Sequence, residues 1–189
     1  MKEINNALPE LAFKELQEYI LGCEIPWYHC ESIAYPPGNE LPSNINAHEK
    51  DKVEVTKELF YKGLTEEQAA YNTYSTHLVY TNDRIYSDLV FDKLEPLIDL
   101  INPKALIRIK INNYPRTPSV VHHQDHIDNT FAHNGALFYV NTNNGMTVIE
   151  GKEVSSVENK LVLFDSSKIH HSTSTSDTSR RITINVNYF

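Results

Sequence analysis

From Ala105 to the C-terminal Phe189 the hydrophobic pattern has a period of two, and that alternation restricts the fold more than any other feature. Ile107, Ile109 and Ile111 alternate with Arg108, Lys110 and Asn112. Residues two apart on a strand share a face, so such a segment has one apolar and one polar side. Comparable runs follow at Ser119–His123, Gly135–Thr142, Met146–Ile149, Glu153–Val157, Lys160–Asp165 and Arg181–Phe189, separated by Asn, Gly and Ser turns. Short strands at this spacing predict a sandwich or barrel, not βαβ units.

The first 104 residues read differently. Leu8, Leu11/Ala12, Leu16 and Tyr19/Ile20 follow helical spacing, with Pro9 at the start and Gly22 at the end. Thr65-Glu66-Glu67-Gln68 is a capping box that opens a short helix. Val90, Leu94, Leu97/Ile98 and Ile101 form another apolar stripe, which Pro96 either kinks or begins. Trp27 and the stretch Tyr71–Tyr86 read as core and helix-packing residues, with an aromatic substrate platform as the alternative. Between the first helix and Lys52 lies a loop-rich stretch with Pro26, Pro36, Pro37 and Pro42, and Ala34–Asn46 is a candidate lid. The expected fold class is mainly β with N-terminal helices (α+β). At 189 residues one domain is the economical reading: a helical and loop part over 1–104 and a strand-rich core over 105–189.

Composition removes several functions. With 17 Lys+Arg against 25 Asp+Glu the formal net charge is −8, which argues against nucleic acid as a partner. The 6 glycines form no G-x-G-x-x-G, and Gly145–Lys152 has one residue too many for a phosphate loop. No apolar run approaches the ~20 residues of a membrane span, and MKEINNALPE has no signal-like apolar stretch. A cytoplasmic location without membrane association is therefore expected. Cys23 and Cys30 are too far apart for a tight zinc motif and read as free, partly buried thiols.

Three segments carry candidate chemistry. In HHQDH, His123 and Asp125 stand two apart and can face one metal, and His126/Asp128 repeats the pattern three residues on. The run Leu161–Phe164 leads into His170 and His171, either of which can supply a third ligand. Two imidazoles and a carboxylate on one face of a metal suit a non-haem Fe(II) oxygenase. In the last strand Ile182, Ile184, Val186 and Tyr188 share one face, while Arg181, Thr183, Asn185 and Asn187 share the other. That polar face either meets water or lines a barrel interior, where Arg181 would present its fork to a carboxylate. The Ser/Thr run Ser172–Ser179 reads as a solvated loop.

The order HHQD, ALFYVNTNNGMTVIEG, NKLVLFDSSKIHH, RRITINVNYF resembles the Fe(II)/2-oxoglutarate-dependent dioxygenases. Within them it is most similar to the small prolyl-4-hydroxylase-like members of bacteria and phages. The likeness runs from Ala105 to Phe189 and implies a double-stranded β-helix (jelly-roll) core packed against helices. Carried over by motif, it implies His123, Asp125 and His170 as iron ligands, with no catalytic residue beyond the metal centre. It implies Arg181 for the distal carboxylate of 2-oxoglutarate, with Thr183 and Tyr114 beside it. Phe138 stands where the family often has a tyrosine, which leaves more weight on Tyr114.

The resemblance implies hydroxylation of an unactivated C–H bond, with release of succinate and carbon dioxide. Its cofactors are Fe(II), 2-oxoglutarate and O2, with ascorbate as an accessory reductant. The implied substrate is a peptidyl proline or related amino-acid side chain, on a peptide, protein or small molecule. Two alternatives stand beside it. One is a cupin-like metal-binding jelly roll without oxygenase activity. The other is a nucleobase-oxidising dioxygenase, whose second arginine would fall at Asn187.

Overall fold

The computed structural model describes residues 1–30, 33 and 64–189, so the candidate lid Ala34–Asn46 lies outside the described residues. The elements run β1 (Lys2–Ile4), α1 (Glu10–Leu21), β2 (Tyr28–Cys30), α2 (Glu66–Ala70), β3 (Tyr74–Thr81), β4 (Arg84–Ile85), α3 (Asp88–Lys93) and α4 (Glu95–Ile101). Then come β5 (Leu106–Pro115), β6 (Asn134–Tyr139), β7 (Met146–Ile149), β8 (Lys152–Ser155), β9 (Lys160–Asp165), β10 (His170–Ser172) and β11 (Arg180–Tyr188). An eight-stranded antiparallel sheet has the order β1-β9-β6-β11-β5-β3-β2, with β4 on β3, and a three-stranded sheet has the order β10-β7-β8. Two antiparallel sheets facing each other form the jelly-roll core.

Register explains which side of the large sheet is apolar. Ile184 lies opposite both Ile111 on β5 and Phe138 on β6. The outer face therefore gathers Ile109, Ile111, Ala136, Phe138, Ile182, Ile184 and Val186, all buried. Helices close over it with Phe13, Leu16 and Ile20 from α1 and Val90, Leu94, Leu97 and Ile101 from the α3–α4 pair. Each such side chain contributes about 1.5–3 kcal/mol on burial. The inner face is mixed: Leu137, Tyr139, Val162 and Phe164 pack there with Ile149 and Val154 of the small sheet.

The helices follow their local signals. Pro9 caps α1 and Gly22 ends it. The Thr65 box is formed, with its hydroxyl accepting from Gln68 N and the Gln68 side chain accepting from Thr65 N. Pro96 begins a helix instead of kinking one, because the chain breaks at Leu94 between α3 and α4. Among the described residues no helix is long and apolar enough to cross a membrane.

Several expectations need correction. Tyr74–Thr81 is a strand, since it hydrogen-bonds along β5 on one side and to β2 and β4 on the other. Ser119–His123 is not a strand of its own; His122 and His126 instead make isolated bridges to Thr173 and His170 beside β10. The Ser/Thr run is solvated only in its second half. Ser172, Thr173, Ser174 and Thr175 are buried, their hydroxyls bonding Val121 N, Met146 N and Asn144 Oδ1 among others. Cys23 is exposed and Cys30 half-buried.

Candidate active site

The polar face of β11 points inward and is fully enclosed: Arg181, Thr183, Asn185 and Asn187 are all buried. Opposite them on β5 stand Tyr114, Asn112, Lys110 and Arg108 in strict cross-strand order. The small sheet closes the space, and one pocket is lined by His126, Asp128, His170, Arg181, Thr183 and Tyr114.

Among the described residues one group of three has metal-ligating atoms within 4.8 Å of one another: His126, Asp128 and His170. The backbone sets both rings for that task. His126 Nδ1 lies 3.1 Å from Gln124 O, and His170 Nδ1 lies 2.8 Å from Lys168 O. A carbonyl only accepts, so each neutral ring carries its proton on Nδ1 and turns a bare Nε2 inward. His170 Nε2 is 3.9 Å from Asp128 Oδ2. Burial, then the neighbouring His170, pulls His126 down to about 4, so its imidazole is neutral at pH 7. Asp128 is buried too, which alone would raise it. The Arg108 guanidinium, then the two neighbouring imidazoles and the Ser166 hydrogen bond, outweigh that and hold it well below the usual carboxylate range.

Asp128 is fixed from several sides. Arg108 donates to Oδ1 at 3.0 Å, while Ser166 Oγ at 2.5 Å and Asn187 Nδ2 at 2.8 Å donate to Oδ2. Arg108 also donates to Asn187 Oδ1 at 3.0 Å, so a guanidinium from the neighbouring strand serves the Asn187 position.

The pair His123/Asp125 does not join this cluster, which gathers instead the His-x-Asp pair three residues further on with His170. Asp125 is 61% exposed and accepts from His171 Nδ1 at 2.6 Å on the surface. His123 is buried, but its Nδ1 faces Ser172 Oγ at 2.8 Å and its ring stacks on Tyr114. The cause is an irregular register. Between the bridges His122–Thr173 and His126–His170 one side has four steps and the other three. One extra residue acts as a bulge and turns both His123 and His126 inward, although their odd spacing would put them on opposite faces.

Arg181 is completely buried, at 0% exposure. Nε donates to Ser156 Oγ at 2.8 Å and one terminal nitrogen to Thr147 Oγ1 at 2.7 Å. The guanidinium lies against the rings of Tyr114 and Tyr139, 5.2 and 5.6 Å from their centroids. No carboxylate lies within salt-bridge distance of it among the described residues. Burial lowers its proton affinity, and the two phenols oppose that. Gly145 makes room for it, since a Cβ there would lie 2.6 Å from Arg181 Cδ and 2.5 Å from Ser174 O. Thr183 and the Tyr114 hydroxyl meet beside the guanidinium. Phe138 points to the outer core, and its neighbour Tyr139 supplies the inner phenol. Sequence reading missed Tyr139, Thr147 and Ser156, because only strand parity tells which of Phe138 and Tyr139 faces in.

Comparison with known proteins places the fold. The chain has the fold of the Fe(II)/2-oxoglutarate-dependent oxygenases, prolyl hydroxylases among them. Over 99% of its length it is similar to a prolyl-4-hydroxylase from Pseudomonas putida, at TM-score 0.53 and 15% identity, covering 91% of that chain. Over 100% it is similar to a prolyl hydroxylase from Trichoplax adhaerens in complex with a hypoxia inducible factor peptide fragment, at TM-score 0.56 and 16% identity, covering 82% of that chain. Over 99% it is similar to SnoN, a non-heme alpha ketoglutarate dependent epimerase from nogalamycin biosynthesis, at TM-score 0.56 and 10% identity, covering 76% of that chain. No protein-family description matches the sequence. No curated protein matches it either.

Proposed function

We propose that this chain is an Fe(II)- and 2-oxoglutarate-dependent dioxygenase that hydroxylates an unactivated C–H bond of an amino-acid side chain, with release of succinate and carbon dioxide. One observation carries the reading: a wholly buried Arg181 without a carboxylate partner, in the same pocket as His126, Asp128 and His170. Buried arginine calls for an anion, and a dicarboxylate cosubstrate supplies one. The donor set fits iron, with two imidazoles and one carboxylate. His126, Asp128 and His170 would hold Fe(II), which with 2-oxoglutarate bound supplies the activation of O2.

The chain's own residues do the rest. Arg181 takes the distal carboxylate bidentately, with Thr183 and Tyr114 as neutral donors; burial raises the Tyr114 phenol, so it keeps its proton. Leu137 and Phe164 wall the pocket and exclude water. Ser166, Asn187 and Arg108 hold the Asp128 carboxylate in place before any metal arrives. Residues 1–104 and 105–189 act as one domain, a reading supported by β1, β2 and β3 completing the same sheet as β5, β6, β9 and β11. The peptide-bound Trichoplax neighbour makes peptidyl proline the first form of substrate to test.

The test is binding of N-oxalylglycine, an inert 2-oxoglutarate mimic, to the Mn(II)-loaded protein, followed by succinate release with Fe(II). Arg181→Ala is expected to weaken N-oxalylglycine by ~100-fold, as loss of a buried charge-assisted pair does. Unchanged affinity in Arg181→Ala would overturn the oxygenase reading and leave a metal-binding jelly roll.

A further inference from the structure

The pocket holds a second cation that the cosubstrate reading does not use. Lys110 lines it from β5, four residues from Tyr114 along the strand. Its Nζ donates to the Tyr74 hydroxyl at 3.1 Å and lies 5.3 Å from the centre of that ring. No carboxylate is within salt-bridge distance of it among the described residues. An ammonium has three donors, so two remain for a ligand.

Directly across from Lys110 in the register stands Asn185, and diagonal to it Asn112. Asn185 is 8% exposed, and its orientation is settled because Nδ2 donates to Asp128 Oδ2 at 3.2 Å. Its Oδ1 is consequently turned away from Asp128, buried and without a hydrogen-bond partner among the described residues, and Asn112 Oδ1 is in the same condition. A buried polar atom without a partner is costly, and a ligand that satisfies it gains affinity. Lys110 asks for an anion, while the two amide oxygens ask for N–H donors. All three line one patch of the pocket that also holds the His126–Asp128–His170 cluster.

We propose that Lys110, Asn112 and Asn185 form a subsite for the α-carboxylate and α-ammonium of a free amino acid, making the substrate a zwitterionic small molecule. The proposal rests on the oxygenase reading and narrows it away from the peptidyl form, since a residue within a peptide has neither free group. A substrate held here by its backbone groups would lie beside the metal cluster with its side chain available for oxidation.

The experiment uses the full chain with Fe(II) and 2-oxoglutarate and measures succinate release against the twenty free L-amino acids. Each is compared with its α-amide and its N-acetyl derivative. At least one free acid is expected to stimulate release above the substrate-free rate, with the amide at least ~10-fold poorer in kcat/KM and the N-acetyl form also poorer. Lys110→Met should erase the preference for acid over amide, and Lys110→Arg should retain part of it. Affinity of N-oxalylglycine with Mn(II) is read separately and is expected to stay within about twofold in Lys110→Met, since Arg181 holds that ligand. If Lys110→Met weakens N-oxalylglycine as much as Arg181→Ala does, Lys110 belongs to the cosubstrate and the proposal is overturned. It is equally overturned if no free acid is turned over, or if a proline peptide or an amide serves as well. Failure of the unaltered protein to bind N-oxalylglycine at all would instead bring down the oxygenase reading beneath it.

Discussion

Two His-x-Asp pairs stand three residues apart, and the protein treats them in opposite ways. His126 and Asp128 are drawn into the pocket, where carbonyls set the imidazole tautomers and Arg108, Ser166 and Asn187 grip the carboxylate. His123 packs beneath Tyr114, while Asp125 faces solvent and pairs with His171. The dipeptide pattern is the same in both. What separates them is the surroundings each acquires, and a ligand site is made by those surroundings as much as by its donors.

The largest expected contrast is in metal binding. Asp128→Ala and His126→Ala should each weaken Mn(II) by at least ~100-fold and abolish succinate formation, whereas Asp125→Ala should hold Mn(II) within about twofold. Asp128→Asn keeps the volume and some of the hydrogen bonds, so circular dichroism can separate metal loss from misfolding. Loss of metal in Asp125→Ala with retention in Asp128→Ala would reverse the assignment.

A smaller effect is expected at Gly145. The added methyl of Gly145→Ala would press on Arg181 Cδ and the Ser174 carbonyl, with an overpacking cost of about 1–3 kcal/mol. N-oxalylglycine affinity should fall by ~10-fold while Mn(II) affinity holds, which places the damage at the guanidinium.

Acid should destabilise the metal-free protein through the histidines of both pairs. In the metal-free protein His126 sits near 4 when folded and at about 6.5 when unfolded. Between those values the unfolded chain binds the extra proton, so stability falls as pH drops through this window. The loss approaches roughly 3 kcal/mol by pH 4, and His123, lowered by its burial, adds in the same direction. Urea unfolding from pH 7 to 4 should show it, and His126→Gln should flatten part of the slope. Asp128, whose folded value is depressed, adds a further loss only below about 3.8. The smallest change is Asp125→Ala, where a mostly exposed partner is removed; its unfolding free energy should shift by no more than about 0.5 kcal/mol.

Much of the fold was legible in local pattern. The alternation of Ile107, Ile109 and Ile111, the box at Thr65 and the polar face of the last strand each have a cause within a few residues, and each appears where it was expected. Tyr74–Thr81 was not legible, because this tyrosine-rich strand carries no clean alternation. Neither was the burial of Ser172–Thr175, whose hydroxyls find backbone partners far away in sequence. For the site, His170 and Arg181 were picked from the sequence, and both reach the pocket with Thr183 and Tyr114. The choice between the two His-x-Asp pairs depended on one extra residue opposite β10, and Tyr139 depended on parity within β6.

The sequence by itself determined the period-two core, the helices before it and the supply of imidazole, carboxylate and guanidinium needed for this chemistry. Those follow from local rules of spacing and capping, which act over one strand or one turn. Only the tertiary structure decided which histidine and which aspartate meet His170, and which cation stands without a carboxylate. Convergence is a property of register between distant strands, and one extra residue changes which side chains face inward.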